Sequence, residues 1–391
     1  MSNEDRKISD CEVVSSNPLV SFFAVVEMKL KRYRWHSQSS WMLIPLKNNK
    51  TIQYLILNRT MKTVKSILIF SLAFFSVVVF FEIFLSWAGI LSPVVRIDPD
   101  KGERYVPNKM CSSIFVSEGF GLAKTNSSGW FGKDFKDEGP DDISIAVLGN
   151  SFVAGRHVFY RQNFLSLGEN YLNKKLSNKK TSFFNFGKED FPLRELLYVK
   201  EDIMKTYHPD YFLVLINPGA LNYTSSQRYV AFYDFVDGKF QVDSSFKKAS
   251  FVRNYSRFQL FTKSSVLFLG HRAKNQLPNA GEILFDKFYS SNKNIEPDDE
   301  VVDTISTSDA AVLKELSKDP KVIFMLNLDP LLYRAVQPLI VNSGKIDLWA
   351  PLIKMQESGT DPCYWPIADK RGHWNLQGHD LVGKVIANYM Y

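Results

Sequence analysis

The stretch Ile143-Ser144-Ile145-Ala146-Val147-Leu148 ends in Gly149-Asn150-Ser151. An apolar run of this length with no charge reads as a β-strand buried on both faces, and the small polar residues after it read as a tight turn into a helix. The pattern then repeats. Phe164 to Leu176 reads as a helix, Ser182 to Phe186 as a second strand, and Pro192 to Thr206 as a helix opened by proline. Tyr211 to Ile216 is a third strand, and Val322 to Leu326 a fourth, ended by Asn327-Leu328-Asp329-Pro330. Strands that alternate with helices imply a mainly parallel sheet covered on both faces, hence an α/β three-layer sandwich. In such sheets chemistry gathers at the carboxyl ends of the strands, where Ser151, Gly187 and Asn217 fall.

A serine at a strand-to-helix turn becomes a nucleophile only if an imidazole removes its proton, and the imidazole needs an acid to fix its tautomer. By itself Ser151 is equally a helix N-cap. Near the C-terminus, however, Asp369-Lys370-Arg371-Gly372-His373-Trp374-Asn375-Leu376-Gln377-Gly378-His379 precedes a last helical stretch. The two segments together resemble the SGNH (GDSL-type) hydrolase family, in which a Gly-Asp-Ser block follows the first strand and an Asp-x-x-His block comes last. Thr125-Asn126-Ser127-Ser128-Gly129-Trp130-Phe131-Gly132 resembles the lead-in of its membrane-anchored members.

The resemblance implies an SGNH-hydrolase-like (flavodoxin-like) fold with one N-terminal transmembrane helix. It makes Ser151 the nucleophile, His373 the general base in preference to His379, and Asp369 the orienting acid, with Asp361 in reserve. For the oxyanion it implies the Ser151 N–H, Gly187, and either Asn222 or Asn217, the order Gly219 then Asn222 fitting the third block slightly better. Three features depart from the pattern: Asn150 stands where the family has Asp, three residues instead of two separate Asp369 from His373, and the third block is loose. These keep open a member that has lost its activity and serves as a scaffold.

From Ser66 to Leu91 the chain is apolar, with Glu82 as its one ionisable side chain. Such a length spans the roughly 30 Å of bilayer hydrocarbon. Arg59, Lys62 and Lys65 precede it, which orients the large C-terminal part to the outside. A cleaved signal peptide or a buried core helix is the alternative, although the run exceeds the usual h-region. Glu82 suggests packing against a partner helix. Four regions follow: residues 1–62, a cytoplasmic tail or the product of a start misplaced upstream of Met61; 63–91, the anchor; 92–141, a turn-rich connector; and 142–391, the hydrolase-like domain. An insertion at about 223–320, either a lid or a structural elaboration, holds a hairpin at Phe232 to Val242 that turns at Asp237-Gly238, and a helix at Ser265 to Asn275.

The net charge of +7 on 391 residues is modest and scattered, which argues against nucleic acid as a partner. Cys111 and Cys363 both fall on the exported side and can pair in an oxidising compartment. No metal-ligand spacing occurs, and no cofactor is implied. The expectation is an esterase of the inner membrane, facing the periplasm and acting through an acyl-serine on O-acetyl esters of an envelope glycan. An O-acetyltransferase with the same site, an inactive scaffold, and a lipase or thioesterase acting near the bilayer are the alternatives.

Overall fold

The computed structural model describes residues 50–88, 95–115, 118–136, 139, 142–176, 179–221, 230–249, 252, 264, 266–267, 305–366 and 369–391. The chain divides into two compact units, Met1–Phe74 and Phe75–Tyr391. The boundary falls inside helix α1, Lys50–Ala88. This helix starts well upstream of the expected anchor and runs without a break through Met61. Its segment Leu57–Leu85 has a mean hydropathy of 2.6 and is long and apolar enough to cross a membrane. Its phenylalanines Phe70, Phe74, Phe75, Phe80, Phe81 and Phe84 are exposed.

The connector is folded. Strands β1 (Val95–Asp98) and β2 (Gly102–Tyr105) pair as one antiparallel ribbon, and β3 (Met110–Phe115) and β4 (Gly119–Lys124) as a second. Beyond it lies a five-stranded parallel sheet made of β5 (Ile143–Gly149), β6 (Thr181–Gly187), β7 (Tyr211–Ile216), β10 (Val322–Leu326) and β11 (Gly344–Asp347). Its order is β11-β10-β7-β5-β6. Four of these strands match the apolar runs. The fifth, β11, escaped notice because it is an edge strand in which only Ile346 is buried.

Successive side chains of a strand point to opposite faces, and the two cores divide accordingly. Ala146, Leu148, Phe212, Val214, Ile216, Phe324 and Leu326 meet α4 (Leu193–Tyr207), α5 (Thr307–Leu316) and α6 (Pro330–Val336). Ile145, Val147, Leu213, Leu215 and Met325 meet α3 (Phe164–Lys175), α7 (Trp349–Glu357) and the last helix, α8 (Leu376–Met390). This is the expected three-layer α/β sandwich. Strand β5 pairs with β6 on one edge and β7 on the other, so the connections that leave β5 and β7 diverge at the topological switch point.

In the insertion, β8 (Phe232–Val236) and β9 (Lys239–Asp243) form the expected hairpin, with Asp237 and Gly238 both at positive φ, as the favoured two-residue turn requires. The expected helix at Ser265 to Asn275 lies outside the described residues except for Val266 and Leu267, which are helical. Cys111 and Cys363 are not joined: Cys111 packs with Tyr105 and Phe131, whereas Cys363 packs against the core beneath α8. Burial pushes the Cys363 thiol up to about 11, so it stays protonated at neutral pH.

Glu82 has its partners within the chain. Its carboxylate accepts from Ser264 Oγ at 2.7 Å and from the Val266 N–H at 3.0 Å. Replacing it with alanine removes both acceptors. Hydrogen exchange at the Val266 amide should then speed up several-fold in Glu82→Ala, as expected from a loss of about 1 kcal/mol. In Glu82→Gln it should stay near wild type, because the amide oxygen still accepts.

Candidate active site

Gly149 ends β5 inside the core, and Asn150 turns the chain into the short helix α2, Ser151–Ala154. Asn150 Oδ1 caps that helix by accepting from the Phe152 N–H. The turn holds Ser151 half-buried at the carboxyl edge of the sheet. The opposite wall comes from the C-terminal end of the chain. Asn375 caps α8 through the Gly378 N–H and donates to the carbonyls of Asp361 and Tyr364. This cross-bracing fixes the loop that carries His373.

His373 Nε2 lies 2.6 Å from Ser151 Oγ. Its Nδ1 lies 2.7 and 2.8 Å from the two carboxylate oxygens of Glu118. The His373 backbone N–H also donates to Glu118 at 3.1 Å, and its carbonyl accepts from the Trp365 indole at 2.9 Å. Glu118 sits at the tip of the β3–β4 ribbon, almost buried. Burial would raise its carboxyl group, but the hydrogen bonds and charge of His373 outweigh that and hold it below the usual carboxylate range. Gly372 makes the approach possible: a Cβ there would lie 2.3 Å from Glu118 Oε1.

Glu118 therefore stands where Asp369 was expected. Asp369 is exposed in the turn between β12 (Tyr364–Trp365) and β13 (Lys370–Arg371), in left-handed backbone, and accepts from the Tyr364 hydroxyl. The extra residue between Asp369 and His373 allows this small hairpin, which turns the aspartate away from the imidazole. Asp361 is engaged elsewhere, accepting from the Cys363 N–H and pairing with Arg371. No periodicity pointed to Glu118, which lies far upstream in a polar turn. The abnormal spacing of the last block was the one available sign that the acid comes from another part of the chain.

Gly187 also departs from its expected role. Its N–H donates to Asn185 Oδ1 at 2.8 Å, so it is not aimed at the serine. The need for glycine is steric, since a Cβ would lie 2.2 Å from the Ala154 backbone nitrogen. Asn222 lies outside the described residues. Asn217 is buried just past β7, and its Oδ1 accepts from Asn150 Nδ2 at 2.8 Å. That bond commits the Asn217 oxygen and leaves its amide hydrogens for other acceptors. No described residue accepts from the Ser151 N–H, which belongs to the open first turn of α2.

Two further histidines lie behind His373. His157 and His379 are buried, and the three rings form a column with centroid spacings of 4.8 and 5.1 Å. His379 Nδ1 accepts from the Phe164 N–H at 3.3 Å, which ties α8 to the start of α3. Desolvation, helped by the nearby His373, brings His379 down to about 3, so it is neutral at physiological pH.

No protein-family model and no curated protein matches the chain. Among solved structures, it is similar to a catalytic mutant of an acetylxylan esterase from Geobacillus stearothermophilus, with 14% identity over 66% of this chain and 96% of that one, at a TM-score of 0.34. A lipase/acylhydrolase from Enterococcus faecalis gives 12% identity over 63% and 94% of the two chains, at 0.32. A G-D-S-L family lipolytic protein from Veillonella parvula gives 11% identity over 62% and 95%, at 0.30. Likenesses this distant add no weight to the topology and the side-chain geometry.

Asn150→Asp should rotate the Asn217 amide, because a carboxylate cannot donate to its oxygen. The Asn217 Nδ2 would then donate to the new carboxylate, so the Asn217 side-chain amide signals should move in an NMR spectrum of Asn150→Asp. The low-lying Glu118 carboxyl stabilises the fold above the unfolded value near 4.5, and that contribution is lost as pH falls through the folded value. The gap in Tm between wild type and Glu118→Gln should therefore be widest near neutral pH and narrow below about pH 4.5. The sheet order puts β5 between β6 and β7, with Ser151 after β5 and the His373 loop before the last helix, in the flavodoxin-like arrangement expected.

Proposed function

We propose that this protein is a serine ester hydrolase of the SGNH type, held at the inner membrane by α1, with its site outside the cytoplasm. The observation that carries the reading is the unbroken line from Ser151 Oγ through His373 to Glu118. In that line the Ser151 oxygen attacks the ester carbonyl while its proton passes to His373 Nε2, and Glu118 stabilises the imidazolium that results. The negative charge that forms on the carbonyl oxygen faces the Ser151 N–H and the Asn217 amide. Collapse of the tetrahedral species breaks the ester bond, and His373 returns its proton to the leaving alcohol. Water, activated by the same histidine, then releases the acid from the acyl-serine.

For the substrate we favour O-acetyl groups on an envelope glycan. Support comes from a site open at the carboxyl edge of the sheet, the exposed apolar helix that would keep the enzyme at a membrane, and the resemblance of the lead-in to anchored members of the family. A sugar hydroxyl in place of water would make the same residues an O-acetyltransferase. An inactive scaffold is the weaker reading, because a lapsed site has no need of a buried carboxylate aligned on the histidine.

Fluorophosphonate labelling and p-nitrophenyl acetate hydrolysis by the full chain test this reading. Ser151→Ala and His373→Ala should abolish labelling. Glu118→Gln should lower kcat by about 100-fold or more, the range seen when the acid of such a triad is neutralised. Asp369→Asn should stay within about twofold of wild type, since that side chain touches neither His373 nor Ser151. A folded wild-type chain with no labelling and no turnover would sink the enzymatic reading.

A further inference from the structure

His157 is the third residue of the turn that leaves α2, and only 2% of its surface is exposed. Its ring lies nearly parallel to that of His373, at an interplanar angle of 27°. Phe152 packs against the same imidazole at 4.6 Å. Aromatic rings thus confine His373, and it keeps the edge that joins Ser151 to Glu118. A ring nitrogen of His157, one of His373 and the Glu118 carboxylate all lie within 4.8 Å of one another.

His157 is itself held from behind. Its Nε2 lies 3.0 Å from His379 Nε2 and 3.1 Å from the Trp374 carbonyl oxygen, and the edge of Trp365 meets its ring at 90°. Because His379 Nδ1 accepts from the Phe164 N–H, the hydrogen of neutral His379 belongs on its Nε2 and points at His157. Two hydrogens do not fit in a 3.0 Å gap. Protonating His157 would crowd that gap and set a second cation against His373 whenever the latter takes up the serine proton.

We propose that His157 is a positioning residue for His373: fixed by the hydrogen bond it accepts from His379 Nε2, its ring supports one face of the imidazole, keeps that imidazole on the line from Ser151 to Glu118, and supplies the π surface against which the imidazolium forms. The titratable groups around it are His373, His379 and Glu118. Burial, followed by the two histidines, pushes His157 well below its ordinary range, and the Glu118 carboxylate only partly opposes them. Neutral imidazole offers a π face to a cation, whereas imidazolium would repel one.

The inference rests on the serine-hydrolase reading, so the test separates the two. In the full chain, His157→Leu removes the π face at similar volume, and His157→Phe keeps it. We expect His157→Leu to lower kcat for p-nitrophenyl acetate by about 10-fold or more with KM within about twofold. The acidic limb of its kcat/KM profile should move down by about half a unit as the imidazolium loses its support. His157→Phe should keep that limb at its wild-type position, a distinction that a purely structural role would not produce. A folded His157→Leu with wild-type kcat and limb would overturn the proposal.

If His157→Leu does not fold, nitrogen NMR of the wild-type chain, which has only six histidines to assign, decides the matter. His157 should stay neutral from about pH 8 to about pH 5, the range in which an ordinary histidine titrates. Titration of His157 within it would overturn the proposal. Failure of the enzymatic reading would appear separately, as a wild-type chain that neither labels nor turns over while His157 remains neutral.

Discussion

Strand β5 has a neighbour on each edge and a helical layer on each face, and the rest of the molecule is arranged around that enclosure. Ile145, Ala146, Val147 and Leu148 are wholly buried, so both faces of the strand must be apolar, as its sequence is. The chain moves to one side of it to make β6 and returns to the other side to make β7. Each excursion places its helix on a different face, as right-handed crossovers require. A crevice is therefore left at the carboxyl end of β5, and the turn there can carry a polar side chain without loss of packing. Asn150 and Asn217 meet at this crevice because β5 and β7 are hydrogen-bonded neighbours.

The electrostatics of the site follow from how little water reaches it. Glu118 is nearly buried, and a lone carboxylate there would be costly. It is stabilised by two donors of one residue, the ring and the backbone N–H of His373. Such a carboxylate fixes the tautomer of the ring and leaves Nε2 turned to the serine. The other two histidines of the column are excluded from charge by burial, so His373 is the member of the column placed to hold a proton.

The fold was legible in the sequence where burial on two faces writes continuous apolar runs, as in β5, β7 and β10. It was not legible in β11, where one buried isoleucine among polar residues carries the pairing. Ser151 and His373 could be identified because short motifs fix them relative to a strand end and a helix start. Glu118 could not, because the contact that defines it joins a ribbon tip to a loop at the far end of the chain. Gly187 shows a different limit: a glycine after a strand is compatible with an oxyanion donor and with close helix packing, and only the bond to Asn185 separates the two. His157 gave no sign, since a single buried histidine has no periodicity of its own.

The ribbon that carries Glu118 precedes the sheet and makes no strand of it. A fragment cut at Asp142 would hold every strand of the sheet, Ser151 and His373, yet it would lack Glu118. The boundary of the site thus lies upstream of the boundary of the sheet, and the connector that precedes the sheet supplies the carboxylate that holds His373. Transfer of this site to another protein would need to carry the ribbon along for His373 to keep its carboxylate.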